Sequence, residues 1–350
     1  MIKDILEKLI AKEDLSAEEA YLVMEKIMRG ELKDSQVAAY LVALRSKGET
    51  VEEILGSCRA IRQHCIRISV SRLPVVDTCG TGGDAKGTFN ISTVSAFVAA
   101  GTEITVAKHG NRAVSGQCGS ADLCEALGIN VDLSATEVEL CLNEIGVGFL
   151  YAPALHPAMA HAVPARKALG LRTIFNILGP LNNPAGASRQ LLGVYEEPLT
   201  EKMAAVLDAL GAEHALVVAG KDGLDEITLT AQTKITEVQK GKIKSYIIAP
   251  EDFGFRRAPS ASLLGGDKEK SARLCLSVLQ GEKGPPRDVV LLNAGAAIYA
   301  AGAAESIKEG IEMAKISIDS GAAYEKLRSL VQFTRRGEVS AAGGGRISSA

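Results

Sequence analysis

One glycine-rich segment of the chain has the residue types needed to hold an anion. It begins at Asp77 and reads Asp-Thr-Cys-Gly-Thr-Gly-Gly-Asp, after an apolar run over 73–76 that predicts a short buried strand. A helix is predicted to begin near Ser92. Consecutive small residues let backbone N–H groups converge on one anion, and a helix N-terminus adds its free donors. The segment therefore predicts a phosphate site, and a tight turn without a ligand is the alternative.

Two other phosphate motifs are disfavoured for this segment. Gly80, Gly82 and Ala85 match a relaxed dinucleotide fingerprint, but residues 86–90 separate them from the predicted helix. That fingerprint also needs an acid at the end of the next strand, where this chain has Lys108-His109. The P-loop sequence Gly-Lys-Ser/Thr is absent from the segment.

A segment rich in basic and polar residues, over 108–122, follows the next predicted strand. Side chains at the carboxyl end of a strand face the crevice in which open α/β sheets bind ligands. Lys108 and Arg112 can donate charge-assisted hydrogen bonds to phosphate. Ser120 is expected to cap the helix that it opens, a role that is compatible with ligand contact.

An acidic pair, Asp225-Glu226, follows another predicted strand, over 215–219. Adjacent carboxylates suit Mg²⁺, which takes one or two acids together with substrate oxygens and water. Neighbours in an extended strand point to opposite faces, so both acids reach one crevice only if the backbone turns, as Lys221-Asp222-Gly223 allows. A solvated turn is the alternative interpretation.

A fourth segment, over 156–181, contains Arg166 on a predicted helix. Its guanidinium can bind a carboxylate through two parallel hydrogen bonds. A solvated position on the helix surface is the ordinary alternative for a lone arginine.

The elements that position these residues fall into two groups. Residues 1–70 predict helices only, with capping boxes at Ser16 and Thr50. Strands and helices alternate over 71–335, which predicts a mainly parallel sheet covered by helices, with an antiparallel hairpin at 233–250. The expected fold is α/β, with a small all-helical N-terminal domain and a larger α/β domain. Residues 336–350 are small and polar, and they predict a disordered tail.

Composition restricts the partners and the compartment. The formal net charge is −3, which gives no long-range attraction for nucleic acid or an anionic membrane. No apolar run is long enough to span a bilayer, and the first residues predict an amphipathic helix rather than a signal peptide. Seven cysteines without metal-ligand spacing favour reduced thiols, and hence a cytoplasmic protein.

Taken together, the motifs resemble one family. Asp-Thr-Cys-Gly-Thr-Gly-Gly-Asp, Asn-Ile-Ser-Thr, Lys-His-Gly-Asn-Arg, Gly-Ser-Ala-Asp, His-Pro-Ala-Met and Phe-Asn-Ile-Leu-Gly-Pro-Leu occur here in the order typical of anthranilate phosphoribosyltransferases. The resemblance extends from the N-terminal helices to about residue 335. It implies the nucleoside phosphorylase/phosphoribosyltransferase-like fold, with residues of about 165–185 packing on the helical domain, and a homodimer formed through that domain.

The resemblance also implies a reaction and its residues. The 5-phosphoribosyl group of 5-phosphoribosyl 1-diphosphate would pass to anthranilate, with Lys108, Asn111 and Arg166 as catalytic residues. Asn111 and Arg166, with Gly80, would contact anthranilate, and Ser92, Asp225 and Glu226 would hold Mg²⁺. The implied contacts of the phosphoribosyl donor are Gly80, Gly83, Asp84, Thr88, Asn90, Ile91, Ser92, Thr93, Lys108, His109, Gly110, Asn111, Arg112, Ala113, Val114, Ser115, Gly116 and Ser120.

Two departures from the family pattern and two alternative functions accompany this interpretation. Gly116-Gln117 stands where a second Ser and often a Lys are expected, and Asn182-Asn183-Pro184 replaces Thr-Asn-Pro. A pyrimidine nucleoside phosphorylase shares the expected architecture, but it would bind free phosphate and need a different loop at 108–111. A nucleic-acid-binding relative without activity would need a basic surface and a degraded metal site.

Overall fold

Four helices form the N-terminal part of the computed structural model, which describes residues 1–113 and 118–336. They are α1 (Ile2–Ile10), α2 (Ala17–Met28), α3 (Asp34–Lys47) and α4 (Val51–Gln63). The predicted capping boxes at Ser16 and Thr50 are confirmed: each hydroxyl accepts a hydrogen bond from the backbone N–H of a Glu three residues later. These boxes satisfy donors that a helix start leaves free, so they fix where α2 and α4 begin.

A seven-stranded sheet follows, with the spatial order β3-β2-β1-β4-β5-β6-β7. Its strands are β1 (Val75–Asp77), β2 (Thr105–Gly110), β3 (Val147–Tyr151), β4 (Arg189–Gly193), β5 (His214–Gly220), β6 (Thr233–Gln239) and β7 (Lys242–Ile248). The first five are parallel, and β6 and β7 form the predicted antiparallel hairpin at one edge. The predicted α/β class, with a mainly parallel sheet, is confirmed.

Eleven further α-helices belong to the described part of the chain. They are α5 (Ile91–Ala100), α6 (Ser120–Ala126), α7 (Ala135–Leu140), α8 (Ala152–Leu155), α9 (Val163–Leu169), α10 (Phe175–Leu178), α11 (Leu199–Ala209), α12 (Lys268–Leu279), α13 (Pro285–Ala301), α14 (Ile307–Asp319) and α15 (Ala322–Thr334). The helix predicted over 157–169 is a 3₁₀ helix (Pro157–Ala162) followed by α9, because Pro164 fits only the first turn of a helix. None of the described helices is both long and apolar enough to cross a membrane.

Both faces of the sheet are buried, which is why its central strands are apolar throughout. In β5, Leu216 and Val218 pack with the C-terminal helices, whereas Ala215 and Val217 pack with the N-terminal helices and α11. Alternate residues of a strand point to opposite faces, so one strand serves two cores. The helical part therefore shares a continuous core with one face of the sheet.

Residues 162–181 belong to that second core as well. Ala165, Phe175 and Leu178 are buried in the same cluster as Met24 and Leu41 of the N-terminal helices. The division of the chain at residues 70 and 335 stays a prediction. Residues 337–350, nearly all of the predicted tail, lie outside the described residues.

A buried carboxylate fastens the antiparallel edge of the sheet to α13. Glu237 is 1% exposed, and it accepts hydrogen bonds from four side chains: His214, Lys244, Tyr246 and Tyr299. Burial alone would raise the pKa of this carboxyl, but the hydrogen bonds, first among them that of His214, lower it to about 2. The ionised form is therefore part of the folded structure.

Glu237→Gln is expected to lower the free energy of unfolding at pH 7 by roughly 3 kcal/mol, because it leaves buried donors without a charged partner. The folded-state pKa lies below the unfolded value of about 4.3, so the contribution is complete above that value and is lost as the pH falls toward 2. Urea unfolding at pH 7 and pH 3 should show the difference from the parent shrinking at the lower pH. Glu201→Gln, in an exposed ion pair with Lys234, is the matched control and should cost little. An equal loss at both pH values would contradict the assignment.

Candidate active site

The candidate site lies in a crevice at the carboxyl ends of the parallel strands. Asp77 ends β1, Gly110 ends β2, Gly193 ends β4 and Gly220 ends β5. These strands are neighbours in the sheet and point the same way, so the loops after them meet at one edge. The glycine-rich segment, residues 111–113 and the acidic pair follow these strand ends, whereas Lys108 and His109, predicted to follow a strand, are part of β2 itself.

The glycine-rich segment, residues 78–90, is an irregular loop between β1 and α5 that we call the glycine loop. Gly82 and Gly83 have φ of +62° and +78°, in the left-handed region that side chains disfavour. Gly80 is needed for a different reason, because a Cβ there would lie 3.1 Å from Asp225 Oδ2 and from Gly193 O. The glycines thus shape the loop and let the acidic pair approach it.

One carboxylate of the acidic pair contacts the glycine loop, and the other contacts the first turn of α5. Asp225 Oδ2 accepts a hydrogen bond from the Gly82 N–H at 2.7 Å, and Glu226 Oε1 accepts one from the Ser92 N–H at 3.1 Å. The chain reaches this position through a turn in which Gly223 has φ of +85°. The turn that the sequence required for both acids to share one crevice is present.

Burial makes the acidic pair a good receptor for a cation. It raises the pKa of Asp225 to about 7, with the neighbouring charge of Asp84 adding to the rise. Burial and then the charge of Asp225 raise the pKa of Glu226 well above its usual range. Asp84 Oδ2 is also buried without a hydrogen-bond partner among the described residues. This set of hard oxygen donors fits Mg²⁺, which favours carboxylates and leaves room for substrate oxygens.

Gly193 is a site residue that sequence reasoning missed. A Cβ on Gly193 would lie 1.6 Å from the carbonyl oxygen of Asp225 and 2.6 Å from its carbonyl carbon. The backbone of the acidic pair therefore packs directly on the end of β4. A glycine at a predicted strand end was the available signal, but nothing in the sequence indicated which residue approaches it.

Lys108 and Asp77 form the buried floor of the crevice. Lys108 is 4% exposed, and its ammonium donates to the carbonyl oxygens of Thr78 and His109 at 3.4 and 3.2 Å. Burial raises the pKa of Asp77, and the positive charge of Lys108 opposes that rise, as it does for Glu226. Lys108 therefore provides positive charge beside the carboxylates, at the position expected of a phosphate contact.

Asp77 has a structural role, although it also lies near Cys79 and His109, with ligand atoms within 4.8 Å of one another. Its oxygens already accept hydrogen bonds from three groups: Cys79 N, His109 N and Asn183 Nδ2. Asn183 also donates to the Ala107 carbonyl oxygen, so the substituted Asn-Asn-Pro segment ties β1 to β2. A carboxylate used in this way is a poor metal ligand.

Two histidines line the crevice in their neutral form. His109 and His156 are each 3% exposed, with ring centroids 5.2 Å apart. Burial lowers the pKa of His109 to about 3, helped by His156, and it lowers the pKa of His156 to about 4. No ring nitrogen of either histidine forms a hydrogen bond within the described residues. Both rings are therefore neutral at pH 7 and add no charge beside Lys108.

Ser120 does not cap α6, so that prediction was wrong. Gly119 is the N-cap, and the Asp122 carboxylate accepts hydrogen bonds from Gly119 N and Ala113 N. The hydroxyl of Ser120 instead accepts from Asn111 N and donates to Asn111 O, both at 3.1 Å. Ser120 is the first residue of α6 rather than the residue before it, so its hydroxyl is not in the cap position and instead fixes Asn111 just after β2.

Arg112 is turned toward α6 rather than toward the glycine loop. Its guanidinium forms a bidentate pair with Glu125 at 2.7 Å, and it also contacts Asp122 and Tyr151. Its positive charge is therefore already paired with a carboxylate, whereas the predicted phosphate contact requires an unpaired guanidinium. Val114, Ser115 and Gly116, which were also predicted to contact the donor, lie outside the described residues, as does the departure at Gln117.

The remaining predicted donor contacts lie where the glycine loop enters α5. The amide of Asn90 donates to the Cys118 carbonyl oxygen at 3.1 Å, which joins the glycine loop to the segment before α6. Asn90 Oδ1 and Thr93 Oγ1 are buried without partners among the described residues. Thr88 pairs with Leu264, and Ile91 is buried in the core as the first residue of α5.

Arg166 and Arg172 are the two arginines of the fourth segment, and the described contacts join Arg172, but not Arg166, to the glycine loop. The Arg166 guanidinium stacks on the Phe175 ring at 5.0 Å, and burial lowers its pKa. Arg172, which sequence reasoning did not assign, stacks on Tyr195 at 4.3 Å and donates to the Gly83 carbonyl oxygen at 3.4 Å. Because Arg45 of α3 donates to the Arg172 carbonyl oxygen, this contact connects the helical part to the glycine loop.

Family comparison agrees with this architecture. Residues 3–65 match the model described as "Glycosyl transferase family, helical bundle domain", and residues 72–324 match "Glycosyl transferase family, a/b domain". The fold and the crevice thus define a glycosyl transferase in which a helical bundle domain precedes an α/β domain along the chain.

Comparison with individual relatives shows which glycosyl transferases this chain is similar to. Anthranilate phosphoribosyltransferase of Symbiobacterium thermophilum is 53% identical over 96% of this chain and 98% of its own, and that of Moorella thermoacetica is 52% identical over 95% and 98%. The crystal structure of the Thermus thermophilus enzyme superposes with a TM-score of 0.90, at 46% identity over 94% of this chain and 99% of that one. This chain belongs to the anthranilate phosphoribosyltransferase family.

A more distant relative has been solved with ligands. Anthranilate phosphoribosyltransferase from Saccharomyces cerevisiae, in complex with PRPP and Mg, is 27% identical, with a TM-score of 0.86 over 95% of this chain and 97% of that one. The same yeast enzyme has been solved in complex with 4-fluoroanthranilate, at 26% identity, with a TM-score of 0.85 and the same coverage.

Proposed function

We propose that this chain transfers the 5-phosphoribosyl group of 5-phospho-α-D-ribose 1-diphosphate to the amine of anthranilate and releases diphosphate, a step of tryptophan biosynthesis. The observation that supports this most is the acidic pair, whose half-buried carboxylates accept hydrogen bonds from Gly82 of the glycine loop and from Ser92 at the start of α5. A crevice that combines backbone donors for phosphate with hard ligands for a cation suits a diphosphate donor. The relatives that are 53% and 52% identical to this chain are named anthranilate phosphoribosyltransferases, which supports the proposal.

The reaction breaks the bond between C1 of the ribose and the diphosphate oxygen, whose electron pair leaves with diphosphate. The amine nitrogen of anthranilate forms the new bond to C1 and then releases a proton to solvent. Positive charge develops at C1 while the bonds change, as in glycoside hydrolysis. An aryl amine is largely neutral at pH 7, so the site needs no strong base, and positioning supplies much of the rate.

Stabilising the leaving diphosphate is the main electrostatic task of the site. We propose that the backbone N–H groups of the glycine loop, together with Asn90 and Thr93, bind 5-phosphoribosyl 1-diphosphate. Lys108 adds positive charge beneath this substrate. We further propose that Asp225, Glu226 and the Ser92 hydroxyl hold Mg²⁺, which when bound neutralises charge on the diphosphate. The yeast relative in complex with PRPP and Mg supports the choice of metal.

Arg166 is the proposed binder of the anthranilate carboxylate, with Asn111 and Gly80 beside the substrate. Burial disfavours its charged form, and the described residues place the Phe175 ring, rather than a carboxylate, against its guanidinium. A half-buried cation of this kind gains most from an anionic ligand. The yeast complex with 4-fluoroanthranilate supports an acceptor of this class.

Arg166→Ala is expected to raise the KM for anthranilate by about a hundredfold, since losing one charged hydrogen-bonded pair costs roughly 2–4 kcal/mol. The KM for the phosphoribosyl donor should change little. Initial rates at varied anthranilate and varied donor separate the two constants. Lys167→Ala removes a neighbouring exposed charge from the same helix and is the matched control. An unchanged KM for anthranilate would refute the assignment of Arg166.

A homodimer through the helical domain and a cytoplasmic location stay predictions. Ile10 of α1 and Val42 of α3 are 73% and 42% exposed, and a second copy would cover such apolar side chains on a dimer face. Light scattering on a sizing column should then give twice the 36.7 kDa of one chain. A mass equal to one chain would contradict the dimer.

The loss of anthranilate fluorescence tests the proposed function. Purified protein, anthranilate, 5-phosphoribosyl 1-diphosphate and Mg²⁺ should give a steady decrease, which omission of the donor or addition of a chelator should stop. A decrease that continues without the donor, or no decrease in the complete mixture, would reject the proposal.

A further inference from the structure

A buried amide of α13 lies directly behind the acidic pair. Asn293 is 0% exposed, and it forms hydrogen bonds with both backbone polar groups of Ile227, the residue after Glu226. Its Oδ1 accepts from Ile227 N at 2.9 Å, and its Nδ2 donates to Ile227 O at 2.8 Å. A side-chain amide thus supplies the pairing that a neighbouring strand would otherwise give.

These bonds constrain the acid that precedes Ile227. The Ile227 N–H shares a planar peptide group with the carbonyl group of Glu226. Fixing the direction of this N–H therefore also fixes the orientation of the Glu226 carbonyl group. The same Nδ2 donates to the Val289 carbonyl oxygen at 2.9 Å, one turn earlier in α13, which anchors the amide to its own helix. Glu226 is therefore attached to a buried helix through a single residue.

The neighbours of Glu226 and Ile227 in this turn have other contacts, which do not join the turn to α13. Thr228, the next residue, is held by hydrogen bonds to Thr233 and Asp222, which lie in and after the turn itself. Asp225 packs on Gly193 through its carbonyl group, a contact that limits approach but has no directional bond. Asn293 is the described residue that bonds the segment just after the acidic pair to the helical layer behind the sheet.

We propose that Asn293 is a positioning residue that holds Asp225 and Glu226 in the geometry in which both carboxylates meet a divalent cation. The inference about metal rests on the proposed function, but it concerns geometry that exists before any substrate binds. Partners behind a metal ligand typically account for about ten- to a hundredfold of metal affinity. Asn293 acts through the backbone rather than on a ligand oxygen, so about tenfold is expected.

Binding of Mn²⁺, measured by electron paramagnetic resonance with diphosphate present, tests the proposal without relying on activity. Asn293→Ala should weaken Mn²⁺ binding by about tenfold. The Mg²⁺ concentration for half-maximal activity should rise by the same factor, while kcat at saturating Mg²⁺ largely recovers. Ser95→Ala is the matched control, because the buried Ser95 hydroxyl donates to Val290 O of the same helix and does not touch the acidic pair.

Unchanged Mn²⁺ binding in folded Asn293→Ala protein, or equal weakening in Ser95→Ala, would overturn the proposal. If Asn293→Ala fails to fold, Asn293→Leu carries the same test, because it fills the space and removes only the hydrogen bonds. A parent protein that binds Mn²⁺ but transfers no phosphoribosyl group would reject the proposed function alone. The comparison of Mn²⁺ binding between variants would still decide the role of Asn293.

Discussion

A variant with both Asp225→Asn and Glu226→Gln is expected to lose transferase activity by about a thousandfold or more, because it removes the proposed Mg²⁺ ligands beside the leaving group. The remaining activity should no longer respond to Mg²⁺. Burial raises the pKa of both carboxyls, with the charge of Asp84 adding to the rise at Asp225 and that of Asp225 adding at Glu226, so their ionised forms oppose folding at pH values above the raised pKa. The neutral variant should therefore have an equal or higher Tm at pH 8.

Glu196→Gln with Glu197→Gln is the matched control, since it removes two adjacent but exposed charges. This control should keep full activity and its Mg²⁺ response. Rates across a Mg²⁺ titration and thermal unfolding at pH 8 are the two measurements. Retained turnover with retained Mg²⁺ dependence in the Asp225/Glu226 variant would place the metal elsewhere.

Gly193→Ala is expected to reduce activity by at least about a hundredfold, although it adds one methyl group. The new Cβ would overlap the Asp225 carbonyl oxygen at 1.6 Å, so the backbone of the acidic pair must move away from the end of β4. A misplacement of about 1 Å near reacting groups is enough to cost a hundredfold in rate. The required Mg²⁺ concentration should rise together with the loss of rate.

Gly56→Ala separates this effect from simple destabilisation. A Cβ there would lie 2.0 Å from the Ala17 carbonyl oxygen, between α4 and α2, where no proposed site residue lies. It should lower Tm without changing the Mg²⁺ requirement of the folded protein. If Gly193→Ala behaves in the same way, the acidic pair does not depend on the end of β4.

Features encoded in neighbouring residues were predictable from the sequence. The glycine loop was recognisable because left-handed φ values at Gly82 and Gly83 demand glycine, and because a strand and a helix flank it. The turn before Asp225 was recognisable in the same way, from Asp222-Gly223. Such local signals also gave the order of strands and helices, and hence the fold class.

Features that depend on distant pairing were not predictable. Asp225 meets Gly193, and Asn293 meets Ile227, 66 residues away in the chain, through packing that no local pattern encodes. Ser120 was expected to act as a cap, but α6 begins at Ser120, so Gly119 is the N-cap and the Ser120 hydroxyl bonds Asn111 instead. Arg112 was expected to contact phosphate, whereas its guanidinium forms a bidentate ion pair with Glu125 of α6. These outcomes depend on which residues the fold brings together, and a local sequence pattern does not contain that information.

The most direct test of the account is the stoichiometry of the reaction, followed by ³¹P nuclear magnetic resonance and mass spectrometry. With anthranilate, 5-phosphoribosyl 1-diphosphate and Mg²⁺, the account predicts one diphosphate released for each anthranilate consumed, and a product with the mass of a phosphoribosylated anthranilate. A parallel mixture of pyrimidine nucleoside and inorganic phosphate should remain unchanged. Phosphorolysis of the nucleoside, or diphosphate release without the anthranilate adduct, would contradict the account.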